Sequence, residues 1–329
     1  MISIKNDSLD PRFNLALEEY VIKEMDPTKD YLILWQNAPS VIIGRYQNTL
    51  EEVNREYVEK HGINVVRRLS GGGAVYHDLG NLNYTFVTTS NDEIRNNFRR
   101  FTEPVIKALA RIGVKAEHTG RNDITIDGKK FSGTAQYYYQ DRVLHHGTIL
   151  FDSDLQRVQE VLTVRADKIA SKGIKSVRSR VTNVIDYMEE RISVKEFQQL
   201  LEKLLLEDRA EESYVYELSE QELARVNELR DARYATWEWN WGKSPKYNLK
   251  KGERFAGGYV EVLLDVDKGQ IVNCKIHGDF FGKREVEELE RLLVGVRHDP
   301  ETLKDTLASV QFEEYMAGIT REEFISCLF

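Results

Sequence analysis

Residues 67–78 read RRLSGGGAVYHD, three consecutive glycines set between β-rich runs. Upstream stands Ile63-Asn64-Val65-Val66, downstream Asn81-Leu82-Asn83-Tyr84-Thr85-Phe86, so the glycines join strands rather than open a helix. Without Cβ atoms, Gly71, Gly72 and Gly73 let backbone approach a ligand closely and leave N–H groups to face it. Arg67 and Arg68 add forked donors suited to phosphate or carboxylate oxygens. The segment is no P-loop, since no Gly-Lys-Ser/Thr follows, and no dinucleotide fingerprint, since β-branched and aromatic residues come next. From spacing alone, a flexible turn between strands accounts for the glycines as well as a ligand cradle does.

Working outward, residues 1–20 read as a short strand and a helix that opens near Asp10-Pro11. Residues 30–46, DYLILWQNAPSVIIGRY, give two apolar runs around a break at Asn37-Ala38-Pro39, hence two strands around a turn. Helical spacing follows at 49–61 and 92–112. Asp127-Gly128 between alternating residues predicts a hairpin, and a further strand runs over 143–151. Residues 193–230 read as helical and acidic throughout. Beyond the polar segment NWGKSPKYNLKKGE, an antiparallel meander and two helical stretches form a small second unit. The expected division is 1–244 and 245–329.

The bulk properties narrow the function. The chain has 329 residues, 41% of them hydrophobic and 30% charged, which suits a water-soluble protein of two domains. A formal charge of -8 argues against general nucleic-acid binding. No apolar run is long enough for a membrane helix, and the N-terminal residues lack a signal-peptide core, so a cytoplasmic location is expected. The two cysteines, Cys274 and Cys327, cannot build a disulfide framework or a cysteine zinc site.

Three further segments carry chemistry. In Gly128-Lys129-Lys130-Phe131-Ser132-Gly133, strand alternation sends the two lysines to opposite faces, so one can aim inward, at a cost only an anion would offset. A pair of surface lysines is the plain alternative. Between Arg165 and Arg180, six cations stand against the single acid Asp167, with hydroxyls and glycine among them. That suits a loop closing over a nucleotide, or simply a solvated face. His145-His146 lacks metal-ligand spacing; one of them could face a pocket.

Together these segments resemble the lipoate–protein ligase family along nearly the whole chain. The matching pieces are RRLSGGGAVYHDLGN at 67–81, GRNDITIDGKKFSGTAQ at 120–136, LHHGTILFDSDL at 144–155, KIASKGIKSVRSRVTN at 168–183 and WEWNWGKSPKYN at 237–248. The resemblance implies an α+β fold: a biotin/lipoate ligase-type catalytic domain of mixed β-sheets flanked by helices, plus a small α+β C-terminal accessory domain. It implies activation of lipoate by ATP with Mg2+ to lipoyl-adenylate, then transfer to a lysine of an acceptor. Glycine-cleavage H protein and the E2 subunits of 2-oxoacid dehydrogenases are the implied acceptors, and the ligase is expected to act as a monomer.

On the family pattern Lys130 is the catalytic lysine, touching both the lipoyl carbonyl and the α-phosphate. Arg68, Gly73, Ala74, Val75 and Tyr76 fall where ATP or the adenylate is held, with Asn122 and Asp123 beside them and Lys172, Ser176 and Arg178 on the adenylate-binding loop. Ser70, Gly71, Gly72, His77 and His146 fall along the lipoyl tunnel. Asp123 is the candidate for holding the metal. A rival of the same fold is an ATP-independent lipoyl or octanoyl transferase between carrier proteins, which would need a cysteine nucleophile; residues 1–273 contain none.

Overall fold

The structure is a computed structural model, and it describes residues 1–91, 97–162, 181–207, 213–241, 249–267 and 269–329. The first eleven strands are β1 (Ile2–Ile4), β2 (Tyr31–Trp35), β3 (Ser40–Ile43), β4 (Asn64–Arg67), β5 (Val75–His77), β6 (Asn81–Thr89), β7 (Glu117–Thr119), β8 (Asp123–Ile126), β9 (Lys129–Tyr139), β10 (Arg142–Leu150) and β11 (Tyr214–Tyr216). Eight of them form one mixed sheet in the order β11-β1-β2-β6-β10-β9-β8-β7, and β4-β3-β5 form a second, three-stranded sheet. The four long helices are α1 (Pro11–Lys23), α2 (Phe98–Arg111), α3 (Val194–Glu207) and α4 (Glu220–Leu229).

Strand alternation divides the large sheet between two cores. In β2, Leu32 and Leu34 join Phe101, Val105, Phe197 and Leu201 beneath α2 and α3. Their neighbours Tyr31, Ile33 and Trp35 join Leu15, Leu17, Tyr20 and Val226 beneath α1 and α4. All five β2 residues are therefore buried. The N-caps are built from side chains: Asp10 accepts from Arg12 N–H at the start of α1, with Pro11 in the first turn, and Ser219 with Glu222 closes a capping box on α4.

β12 (Leu249–Phe255), β13 (Gly258–Asp267) and β14 (Gln270–Gly278) form an antiparallel sheet of their own, backed by α5 (Glu287–Leu293) and α6 (Pro300–Thr306). It has its own core around Val260, Val262, Ile276, Leu289, Leu303 and Phe324, with Cys274 and Cys327 buried inside it. This unit packs against the turn that follows β3: Gly278 N–H donates to Tyr46 O at 2.7 Å, the Tyr46 and Phe280 rings stack, and Arg45 pairs with Glu285 at 2.9 Å.

The α+β class with a small C-terminal α+β unit is as expected, and three local expectations change. The break at Asn37–Pro39 is no hairpin: it carries the chain from β2 in the large sheet to β3 in the small one. The helical reading of 49–61 splits into Thr49–Glu52 and Arg55–Lys60, with Asn54 capping the second piece. The helical reading of 193–230 is interrupted by β11, which pairs in parallel with β1. The expected boundary at 244/245 lies outside the described residues.

Candidate active site

A cavity of about 130 Å³ lies between the two sheets. Leu15, Trp35, Ile42 and Val75 give it an apolar wall. Arg68, His77, Asn83, Asn122, Lys130 and His146 supply the polar groups. An apolar slot with a few convergent polar side chains suits a ligand with a hydrocarbon body and a charged end.

The hairpin delivers Lys130. Asp127 and Gly128 both take positive φ, 50° and 73°, and form the two-residue turn between Ile126 and Lys129. The register then slips, from Thr125 opposite Lys130 to Ile124 opposite Ser132, so Phe131 is the extra residue of a β-bulge. The bulge puts Lys130 on the same face as Gly133 and Ala135, towards the cavity, whereas unbroken alternation would have put Lys129 there. Lys129 is exposed. Gly133 makes the room: a Cβ at that position would stand 2.9 Å from the Lys130 ammonium. Lys130 Nζ pairs with Asp123 Oδ1 at 2.7 Å, both side chains remaining more than a third exposed. Asn122 fixes the turn before Asp123 by donating to Thr134 O at 2.7 Å and accepting from Thr134 N–H at 2.8 Å.

The glycine segment uses its residues differently. Gly71 and Gly72 lie against the C-terminal unit: a Cβ on Gly71 would meet Phe280 O at 2.3 Å, and Gly72 N–H donates to that same oxygen at 3.3 Å. A Cβ on Gly73 would meet nothing within 4 Å, because this glycine borders the cavity. Among the described residues, neither Gly73 N–H nor Ala74 N–H donates to another protein group. Two free N–H groups beside a cavity form a small anion cradle. Of the expected residues, Arg68, Gly72, Gly73, Ala74, Val75, His77, Asn122, Lys130 and His146 line the cavity. Ser70, Gly71, Tyr76 and Asp123 stand behind that lining; Tyr76 packs with Val41 and Val65 in the core of the small sheet. Lys172, Ser176 and Arg178 lie outside the described residues.

Arg67 and Arg68 are both spent on the protein itself. Arg67 donates to the carbonyls of Gly44, Arg45, Gln47 and Trp239, away from the cavity. Arg68 donates to the carbonyls of Ile42, Gly71 and Gly73 at 3.2, 2.7 and 2.8 Å and to Ser70 Oγ at 3.0 Å. Burial pulls the Arg68 guanidinium down to about 10, which still leaves it charged at neutral pH.

Alternation on β10 separates the two histidines. His145 faces α2, stacked on Phe101, and burial pushes its pKa well below the ordinary value. His146 faces α1 and the cavity. Its Nδ1 lies 2.9 Å from Glu18 Oε1, and its Nε2 lies 2.6 Å from Ser70 Oγ. Burial, then the nearby Arg68 and His146, lowers His77 to about 3, so it is neutral; its Nδ1 meets Asn37 Nδ2 at 3.0 Å. Glu18 was not anticipated. Its only sequence signal is an acid within a helical run, Asn14 to Ile22, that is buried throughout. Among the described residues no group of three or more His, Cys, Asp or Glu side chains could hold a metal ion, and no helix is long and apolar enough to cross a membrane.

Comparisons with known proteins fit this geometry. Residues 10–205 match the family model of the lipoyl protein ligase A/B catalytic domain, and residues 244–328 match that of the bacterial lipoate protein ligase C-terminus. The chain is 46% identical over 331 residues to the lipoate-protein ligase LplJ of Bacillus subtilis, covering 100% of each. Its fold is similar to that of P. falciparum LipL1 in complex with lipoate, with TM-score 0.81 and 24% identity over 99% of this chain and 97% of that one. It is also similar to a lipoate-protein ligase A bound with ATP, with TM-score 0.61 and 32% identity over 74% of this chain and 96% of that one.

Proposed function

This chain belongs to the lipoate–protein ligase family and is a ligase, and from that premise we propose that it activates lipoate with ATP and attaches the lipoyl group to a lysine of an acceptor domain. In the first step a lipoate carboxylate oxygen attacks the α-phosphorus and pyrophosphate leaves. In the second the acceptor amine attacks the acyl carbon and AMP leaves. We divide the work between a catalytic domain, 1–244, and an accessory domain, 245–329.

The observation that carries this reading is the placement of Lys130 by the bulge, on the cavity face with its ammonium held by Asp123. Both steps gather negative charge next to such a group, first on phosphate oxygens and then on the acyl oxyanion. One well-placed donor is worth about 3–4 kcal/mol in a transition state. The N–H groups of Gly73 and Ala74 would receive the phosphate, and Leu15, Trp35, Ile42 and Val75 would receive the lipoyl tail, each buried methylene contributing about 0.8 kcal/mol. His77, Asn122 and His146 border the same space, and Lys172, Ser176 and Arg178 are assigned to the nucleotide on the family pattern. Mg2+ fits as an ion carried with the nucleotide, since it commonly takes one or two carboxylates plus phosphates and Asp123 is a carboxylate beside Lys130. Bound there it would screen the triphosphate charge.

Thioester chemistry is disfavoured by the cysteines present. Cys274 and Cys327 are both buried in the C-terminal unit, and burial raises their thiols to about 12 and about 11, far from a reactive thiolate. Lipoyl domains of E2 subunits and H protein are the proposed acceptors and the cytoplasm the proposed location, with the enzyme acting as a monomer. The test is lipoate-dependent ATP–pyrophosphate exchange, followed by intact-mass measurement of each acceptor incubated with enzyme, ATP and lipoate. Exchange plus a lipoyl mass increment is the expected result. Acyl transfer from a lipoylated carrier without ATP would instead support the transferase.

A further inference from the structure

The bulge that turns Lys130 inward lies where β9 leaves one of its two neighbours. β10 accompanies β9 only as far as Gly147 opposite Thr134, so residues 129–133 lie beyond it on that side. Gly133 N–H there donates to the Thr148 hydroxyl at 3.2 Å rather than to a strand carbonyl. β8 covers the other side, but its register slips at Phe131. A bulge beside a strand edge that its neighbour has left is a loose footing for a side chain whose aim matters.

Residues 181–185 fill that edge. Val181 forms a parallel bridge with Lys130, and Thr182 N–H donates to Lys130 O at 3.0 Å. The bond lands on the backbone of the lysine itself. Thr182 is held in turn by Asn183, 8% exposed, whose side-chain amide clasps the Ser153 backbone from both directions. It accepts from Ser153 N–H and donates to Ser153 O, each at 3.0 Å. Val184 and Ile185 then enter the core beneath α2 and α3, and Ile185 N–H donates to Phe151 O at 3.1 Å. Phe151 is fully buried and stacked on Phe197, with ring centroids 4.2 Å apart. Phe131, the bulged residue, is buried in the same core. Lys130 is thus gripped twice, by the side chain of its neighbour and by a bond to its own carbonyl.

We infer that Thr182 and Asn183 are positioning residues for Lys130: the Asn183 amide ties the chain to Ser153, and the Thr182 N–H pins the lysine's carbonyl and so sets the direction in which its side chain leaves the bulge. This rests on Lys130 being the group that meets the reacting atoms, and adds what aims it. Val181, Thr182 and Asn183 do not line the cavity, so their part in the reaction runs through the lysine. The four-carbon stem of a lysine has many rotamers, and fixing its root narrows where the ammonium can stand. A misplacement of about 1 Å can cost roughly 100-fold in rate.

The test is a double-mutant cycle on the full chain, read as transfer from preformed lipoyl-adenylate to a lipoyl domain. Asn183→Ala should lower the rate at saturating acceptor by roughly 10- to 100-fold and leave KM for the acceptor within about twofold. In the Lys130→Ala background the same change should cost no more than about twofold, because the residue being aimed is gone. Amide hydrogen exchange adds a second readout: Thr182 N–H should exchange slowly in the wild type and faster in Asn183→Ala. An equal proportional loss in both backgrounds would overturn the inference, since that is the mark of a strand that only stabilises the fold. So would an unchanged rate in Asn183→Ala, or a Thr182 amide that exchanges freely in the wild type. Should Asn183→Ala fail to fold, an ester in place of the Val181–Thr182 amide, which removes only that N–H, carries the same expectations in both backgrounds. If Lys130→Ala transfers at the wild-type rate, the reading of Lys130 fails and the inference falls with it; equal losses in the two backgrounds sink the inference alone.

Discussion

The cavity is flanked by two cations held in opposite ways. Lys130 reaches it from a bulged strand, more than a third exposed, with Asp123 as its single ion-pair partner among the described residues. Arg68 comes from the foot of the glycine turn, 6% exposed, and is bonded to three carbonyls and a hydroxyl. An ammonium on a four-carbon stem is a mobile point charge that can leave one carboxylate for an anion that develops nearby. A buried planar fork with its donors committed cannot follow a reaction; it can only hold a shape. Of the two, Lys130 is suited to chemistry and Arg68 to architecture.

The largest expected effect tests the first half of that contrast. Lys130→Ala should cut transfer from preformed lipoyl-adenylate by roughly 100- to 1000-fold, while the thermal midpoint barely moves, because little buried structure is lost. Normal transfer by this variant would leave the proposed mechanism without its central group. Arg68→Lys tests the second half. It keeps the charge but removes the fork, stranding carbonyls of Gly71 and Gly73, and should cost about 3 kcal/mol of folding stability in urea titration. Unchanged stability would mean the guanidinium is not what holds the turn. Asp123→Asn comes next, with a fall of roughly tenfold in transfer as Lys130 loses its orientation, and a stability change below about 1 kcal/mol, typical of an exposed pair.

How much of this was legible follows from the range of the interactions. Asp127-Gly128 announced the hairpin because a turn with two positive-φ residues is a local requirement. That one lysine of the pair would face inward also followed from alternation. Which one did not, because the bulge at Phe131 shifts the register without a glycine or proline to mark it. Gly71 and Gly72 read as ligand-facing, and Gly72 does line the cavity, but both also abut Phe280 or Phe281 of the C-terminal unit, far along the chain, and no local pattern carries that contact. Tyr214-Val215-Tyr216, three residues within an acidic helical stretch, was too short to read as a strand, although β1 pairs with it. Glu18 was visible as an acid on a buried face, but only the packed structure separates it from Glu19, which is neutralised by its neighbours.

The smallest effect concerns the buried end alone, where burial, with Arg68 as a lesser contributor, keeps His77 neutral. Burial, and then the adjacent guanidinium, depress His77 from the ordinary 6.5 to about 3. Between those values the unfolded chain binds a proton that the folded chain refuses, so stability falls as pH drops below 6.5 and rises as pH climbs back. One such group contributes about 1 kcal/mol between pH 6 and pH 5, near the limiting slope of roughly 1.4 kcal/mol per unit. His145 and His277, the latter lowered by burial to about 4, add to the same slope. His77→Gln should therefore keep acid sensitivity but lose one group's share of it, so that urea unfolding at pH 5 and pH 6 differs by about 1 kcal/mol less than in the wild type. An unchanged difference would mean that His77 takes up its proton in the folded protein, and that this end of the cavity is not the dry, proton-refusing surrounding in which the contrast with the half-exposed Lys130 places Arg68.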